Sequence, residues 1–457
     1  MTRDLLLIGF LGLLVLAAAW WSARLRSAGY NSLLTRKLLH VLAIGSCAVG
    51  LLWLEQATLL LWIALGVYPL LVWLVVKKQF QHEERRPAWG ILWFPPAMFL
   101  VWFITGSNQI TAAAMAVLAI SDAAAALVGA SLKRLEFSLT GDRKSLPGSA
   151  AFFFSAFALL LLFREMNILH ISFGVVCLAA LCGTLLEAMG TAGRDNLFVP
   201  IGVALALTVH DSLMLTTSAW LLLPLCFLLF RRGWLSASGA VAAWLMAVGI
   251  LAFGGIYWLL PPLMFLVLGT LLGKLPGKTA QDVKQGRARD HIQVWCNGGI
   301  ALLALWLGGE HGQLLFLISM AISCADTCSS ELGTRFGRKT VHPLTLKPMM
   351  SGTSGGMSIW GTLAAVPAAL LIALCAETPE AWLTITLAGF SGMWLDSIFG
   401  ALFQAKFLHA DGLIREHFGP GAKQIQGVFW VNNDVVNVAS NAAVTGISAL
   451  LLLIPFG

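Results

Sequence analysis

The chain of 457 residues is 58% hydrophobic and 11% charged, with a net charge of +7 and a mean hydropathy of +0.83. That leaves too little polar surface to cover a soluble globule of this length, and there are no alternating segments of about ten residues to build a transmembrane barrel. The positive charge forms no contiguous basic face with stacking residues, which excludes nucleic acid as a partner.

Apolar runs of roughly 17 to 25 residues recur along the chain, as a hydrocarbon core of about 30 Å requires of helices. In the first half they predict helices near 4–23, 37–54, 57–76, 89–105, 109–131, 147–163, 168–190, 197–211 and 213–230. In the second half helices are expected near 238–256, 258–273, 292–308, 312–334, 353–376, 382–405 and 432–455. The expected fold is an all-α polytopic membrane protein of about 14–16 transmembrane helices. It is expected in two related halves, 1–233 and 234–457, joined by Arg231-Arg232-Gly233. If the amino terminus lies outside, alternation puts every Lys and Arg except Arg3 and Arg164, of 29 in all, on the cytoplasmic side. The expected location is therefore the bacterial cytoplasmic membrane, with the active sites facing the cytoplasm. Arg24 and Arg26 follow the first apolar run, which reads as a retained anchor and not a cleaved signal. The eight cysteines lie in or beside apolar runs and make no disulfide framework; Cys324 and Cys328 are four apart on a helix.

Taken in order, the first chemistry is Arg36 and Lys37 at a helix mouth, where they could meet phosphates or simply snorkel, with His40 one turn further in. Asp122 follows inside an apolar helix, where a carboxylate costs roughly 2.5–3.5 kcal/mol and is usually kept for function or a partner. Lys144 then opens a loop whose Ser145, Gly148 and Ser149 can offer hydroxyls and unhindered amides to an anion. Glu187 and Asp195 come late enough to reach the mouth where Asp122 ends, although Asp195 also reads as a helix cap.

This stretch, roughly 30–205, resembles the membrane-bound CTP-dependent phytol and dolichol kinases. The resemblance rests on Arg36-Lys37-Leu38-Leu39-His40, Asp122 with Gly129, Lys144-Ser145 with Gly148-Ser149, and Asp195-Asn196 with Pro200. It departs at Ser121 and Arg194, where that family has Gly and Asp.

The second half repeats the theme. Asp326 to Gly333 is seven positions, as is Asp122 to Gly129, and Lys347 follows Asp326 by 21 where Lys144 follows Asp122 by 22. Lys347 leads to the small-residue loop Ser351, Gly352, Thr353, Ser354, Gly355 and Gly356. Polar groups also open other helices: Asn297, Glu331, Asp396 with Gly400 and Gln404, and Asn433, Asp434 and Asn437. From about residue 236 this half resembles the phytyl-phosphate kinase family. It shares Gln293-Val294 with Asn297-Gly298, Asp326-Thr327 with Ser330-Glu331-Leu332-Gly333, and Lys347 with Gly352 to Gly356. Asp396-Ser397 with Gly400-Ala401 and Gln404, and Asn433-Asp434 with Asn437, complete the pattern.

Together the two resemblances imply a fused isoprenoid kinase that makes a prenyl monophosphate and then a diphosphate from a prenol, using CTP or another nucleoside triphosphate and Mg²⁺. The implied metal ligands are Asp122, Glu187 and Asp195 at the first site, and Asp326, Glu331, Asp396 and Asp434 at the second. Lys144 with Ser145 to Ser149, and Lys347 with Gly352 to Gly356, would cradle phosphate, while Asn297, Asn433 and Asn437 orient it. Arg289, Arg335, Arg338 and Lys339 are further candidate cations at the second site. The alternatives are a CDP-lipid-forming cytidylyltransferase and a repeat-built transporter.

Overall fold

A computed structural model describes residues 2–77, 89–132, 134–209, 212–275, 288–337, 339–349, 352–410, 412, 414–416 and 418–453. Ser351 and Arg338 lie outside the described residues. So do Lys78, Arg85, Arg86, Lys133, Lys278, Lys284 and Arg287 from the charge pattern.

An α-helix forms at each of the sixteen predicted positions. The first eight are α1 (Thr2–Ser27), α2 (Ser32–Trp53), α3 (Ala57–Val76), α4 (Gly90–Thr105), α5 (Asn108–Ser131), α6 (Leu146–Glu165), α7 (Phe173–Met189) and α8 (Asp195–Thr208). The others are α9 (Leu213–Arg231), α10 (Ala237–Phe253), α11 (Leu260–Gly273), α12 (His291–Leu307), α13 (Gly312–Phe336), α14 (Ile359–Ala373), α15 (Pro379–Leu402) and α16 (Asn433–Leu452). Among the described residues ten helical spans are long and apolar enough to cross a membrane, α11 reaching that length as Ile256–Gly273 with the turn before it, and α4, α7, α8, α10, α12 and α14 are apolar but shorter. The chain is an all-α polytopic membrane protein.

Its contacts divide it into two units, Met1–Leu221 and Leu222–Gly457. Each is built round one central helix. The membrane-length windows of α5 and α13 are 72% buried, against 17% for α1 and α3. In α5 five of the eight residues Ala112–Ala119 are Ala, so neighbouring backbones can approach it. Helices α2, α4, α6 and α8 pack round α5, and α11, α12, α14, α15 and α16 pack round α13.

Three small antiparallel sheets, absent from the helix expectations, carry the connections. β1 (Glu136–Phe137) pairs with β2 (Lys144–Ser145), and β3 (Thr340–Val341) pairs with β4 (Pro348–Met349). β5 (Lys406–Leu408) lies between β6 (Ile414–Arg415) and β7 (Lys423–Gln426). Such two- to four-residue strands leave no alternating pattern long enough to read.

The strands decide where the next helix starts. Ser145 leaves β2 and caps α6 by accepting from the Gly148 amide at 3.2 Å. In the second unit Val341 and Met357 exchange backbone hydrogen bonds at 2.8 and 2.9 Å, and Ser358 then caps α14 through the Gly361 amide at 3.2 Å. The helix expected at 353–376 therefore begins only at Ile359. Gly352 and Gly355 have φ of +82° and +81°, a region that no helix admits and that glycine enters without strain.

Each capped helix then crosses its central helix at a pair of glycines. A Cβ on Gly148 would lie 3.3 Å from Gly129 Cα, and one on Gly361 would lie 3.3 Å from Gly333 Cα. On Gly361 it would also stand 2.7 Å from the Ser329 carbonyl oxygen, which is backbone and cannot turn aside. Gly361→Val is expected to destabilise the protein by about 1–3 kcal/mol through overpacking. Gly446→Ala, with nothing within 4 Å of the added carbon, should leave the thermal midpoint unchanged or higher.

Candidate active site

In the first unit, five segments converge on one pocket of about 680 Å³, within the size range that takes a small-molecule ligand. Its walls include Arg36, Lys37, Asp122, Lys144, Ser145, Gly148, Ser149, Glu187 and Asp195, which are all the first-site residues read from the sequence. Helix α5 brings Asp122, α2 brings Arg36 and Lys37, the β2–α6 junction brings Lys144 to Ser149, and α7 and the start of α8 bring Glu187 and Asp195.

The charges are ordered in pairs. Lys37 Nζ donates to Asp122 Oδ2 at 2.6 Å, and His40 Nε2 lies 3.2 Å from the same oxygen and 3.2 Å from the Leu118 carbonyl. Both partners of Nε2 are acceptors, so this nitrogen carries the proton. Lys144 Nζ donates to Glu187 Oε1 at 2.5 Å and stands 3.8 Å from Asp195 Oδ2. Burial alone would lower the Lys144 pKa, but Glu187 and then Asp195 outweigh it and hold the ammonium above the ordinary lysine value.

Two polar atoms in the wall remain unsatisfied. The Ser149 hydroxyl and Glu187 Oε2 are buried and have no hydrogen-bond partner among the described residues. A buried polar atom without a partner costs roughly 1–3 kcal/mol, so two of them in one pocket are places for a ligand or an ion. Oxygen donors suit Mg²⁺, which commonly takes one or two carboxylates and draws its other ligands from phosphate and water. Glu187 and Asp195 meet that requirement; Asp122 is already occupied by Lys37 and His40. Among the described residues no group of three or more His, Cys, Asp or Glu is placed to hold a metal.

The second unit does not gather its candidates in this way. Asp396 on α15 accepts from Ser440 at 2.9 Å, and the reoriented Asn437 amide, 3.3 Å away, ties Asp396 to α16 beside Asn433. Glu331 instead takes Arg335, one turn on, at 2.7 Å, and Arg335 also donates to the Gly273 and Leu275 carbonyls. Among the described residues, Asp326, Glu331, Asp396 and Asp434 form no group of three or more placed to hold a metal, and Glu331 pairs with Arg335 on its own helix. Arg289 stacks 4.8 Å above the Phe265 ring and reaches the Leu266 carbonyl, while Lys339 is exposed.

Nor is Lys347 the counterpart of Lys144. Lys144 directly precedes the capping Ser145, whereas Met357 precedes the capping Ser358, and Lys347 is exposed at the start of β4 with no ion pair among the described residues. The near-equal spacings of 22 and 21 therefore do not mark equivalent positions, because an extra arm of chain, from His342 to Gly356, separates β3 from the cap. The Gly352–Gly356 loop does come to Asp396's helix. Gly355 lies so close to α15 that a Cβ would be 2.6 Å from Ala401 Cα, and Gln404 donates to Ser354 at 3.2 Å. Asp396, Gly400 and Gln404 share that face at four-residue spacing. Asn297 lies on α12, and its carbonyl accepts from Ser323 at 2.8 Å.

The sequence reading passed over several groups. Asn441, 1% exposed, bonds Ser319 and Ser323, and it continues the Asn433 and Asn437 stripe by one more turn. That four-residue repeat was the signal available for it. Glu416 and Lys406 gave no signal, because nothing in a loop sequence foretells burial.

The sequence pattern of the integral membrane protein family DUF92 matches residues 220–445. The uncharacterized membrane protein MJ0933 of Methanocaldococcus jannaschii is 30% identical over 234 residues, which is 49% of this chain and 96% of that protein. Protein VTE6, chloroplastic, of Arabidopsis thaliana is 34% identical over 239 residues, 48% of this chain, and the match spans 65% of that relative, less than two thirds of its length. Protein PGR of the same plant is 30% identical over 254 residues, 47% of this chain and 88% of that protein. No solved structure gives a significant match.

Proposed function

The chain belongs to the DUF92 family of integral membrane proteins, and on that footing we propose that it is an isoprenoid kinase of two consecutive steps. The first unit converts a prenol such as phytol or geranylgeraniol to its monophosphate, and the second converts the monophosphate to the diphosphate. The reading of the second unit rests on the phytyl-phosphate kinase pattern within the stretch that matches DUF92. That of the first rests on its pocket, and one observation carries it: Lys144, Glu187, Asp195 and the Ser145–Ser149 turn meet in a single cavity with two polar atoms left for a ligand.

Phosphoryl transfer asks a protein for in-line positioning and charge neutralisation more than for covalent help. Lys144 and Arg36 face the phosphates of CTP or another nucleoside triphosphate, and the Gly148 and Ser149 end of α6 receives them. Glu187 and Asp195 hold Mg²⁺, which when bound offsets charge on the moving phosphoryl group. Asp122 fixes Lys37 and His40 at the pocket edge, where they orient the incoming hydroxyl. The prenyl tail needs no polar recognition and lies among the helices in lipid. The sites face the cytoplasm of a bacterial cell, where the nucleotide is.

Purified protein incubated with γ-labelled CTP and geranylgeraniol tests the reading. Label should enter the lipid monophosphate and then the diphosphate as CDP forms. Release of pyrophosphate with cytidine joined to the lipid identifies a cytidylyltransferase instead. A chain that yields neither product with any prenol, yet moves a solute across vesicles, is a transporter.

A further inference from the structure

Lys347 is exposed, unlike the partly buried Lys144 of the first unit. A buried lysine stands close to the small-residue loop. Lys406 in β5 is 3% exposed and has no ion pair within 4 Å among the described residues.

Its direction follows from strand register. β5 pairs with β6 through Phe407 opposite Arg415 and Leu408 opposite Ile414, a register that sets Lys406 opposite Glu416. β7 sets Gln426 opposite Lys406 on the other side. Residues directly opposite in a sheet project from the same face. Glu416 accepts a hydrogen bond from the Ser354 hydroxyl in the loop, and Gln426 Nε2 donates to the Ala401 carbonyl at 2.5 Å. That face of the sheet is therefore turned toward the Gly352–Gly356 loop and the end of α15, and Lys406 goes with it.

Burying an ammonium without a close counter-ion is costly. Burial pushes Lys406 below the ordinary lysine pKa, and Glu416 only opposes the shift. The loop, meanwhile, is held by Gln404 and Glu416 through Ser354, and by the close approach of Gly355 to Ala401. Such a fixed loop, on the sheet face that carries a buried lysine with no ion pair within 4 Å among the described residues, suits a phosphate group.

We infer that Lys406, and not Lys347, is the phosphate-binding cation of the second unit, taking a phosphate of the nucleotide or of the prenyl monophosphate under the Gly352–Gly356 loop. The assignment rests on the kinase reading of that unit.

The test supplies geranylgeranyl monophosphate directly to the full-length protein, so the first unit is not needed, and follows diphosphate while CTP and lipid phosphate are varied in turn. Lys406→Met is expected to lower kcat/KM about 100-fold, as loss of a charge-assisted phosphate contact does, and Lys406→Arg to restore most of it. Lys347→Met should stay within about twofold of wild type, as an exposed charge without a partner should. A KM increase for CTP assigns the lysine to the nucleotide, and one for the lipid assigns it to the acceptor. A second readout is independent of turnover: periodate-oxidised CTP followed by borohydride should attach to Lys406, with unmodified CTP or the lipid phosphate protecting it. A lysine that is merely structural would let Lys406→Met keep normal kinetics with an equal or higher thermal midpoint, and that result overturns the assignment. So does labelling of Lys347 in its place. If wild-type protein forms no diphosphate at all, the kinase reading itself fails; if it does and Lys406→Met matches it, only this assignment falls.

Discussion

Lys144→Met is expected to reduce conversion of a prenol to its monophosphate by roughly a thousandfold, since removing one preorganised charge from a phosphoryl-transfer site commonly costs that much. Conversion of a supplied monophosphate to the diphosphate should remain within about twofold, because Lys144 belongs wholly to the first unit's pocket. The two rates are read from one protein by changing only the lipid offered. Equal loss of both steps would mean that the units do not carry separate reactions. The variant also leaves Glu187 and Asp195 facing each other without their shared cation. Added Mg²⁺ should therefore raise its thermal midpoint more than that of wild type, because these carboxylates are the ones expected to bind the ion.

The second large effect is on stability. Asp122 is 6% exposed and held by Lys37 at 2.6 Å, so Asp122→Leu leaves a largely buried ammonium without its carboxylate, and Lys37→Met leaves the carboxylate with His40 alone. Each single change is expected to cost about 3–5 kcal/mol, the usual result of stranding one member of a buried pair. The double variant, Lys37→Met with Asp122→Leu, should recover most of that stability, since two apolar chains of similar volume can replace an ion pair at little net cost. It should not recover monophosphate formation. Unfolding in mild detergent, followed by loss of helical signal, measures the first part, and the lipid product measures the second. A double variant no more stable than either single change would show that the pair does not act as a unit.

These expectations draw unequally on sequence and structure. The first site was legible because its residues were read from local patterns, namely a carboxylate inside an apolar helix and a lysine followed by a serine and a glycine at cap spacing. Local pattern is what a capped helix preserves, and Ser145 and Gly148 do lie at cap and third amide. The second site is less legible, because the same logic there has to cross an insertion. Lys347 matched Lys144 by count, but counting residues ignores an arm of chain that leaves and returns between β3 and Ser358.

Sequence by itself determined that this is a helical membrane protein, where the sixteen helices of the described residues lie, and which central helix in each half bears an acid and a close-packing glycine. Those features are set by hydropathy over a bilayer's width and by side-chain size, both of which belong to single stretches of chain. Tertiary structure alone decided which charges meet across the chain: Lys37 with Asp122, and Lys144 with Glu187. Ion pairing and burial depend on positions in space separated by up to 85 residues of chain, as Lys37 and Asp122 are, and no local pattern encodes a distance of that kind.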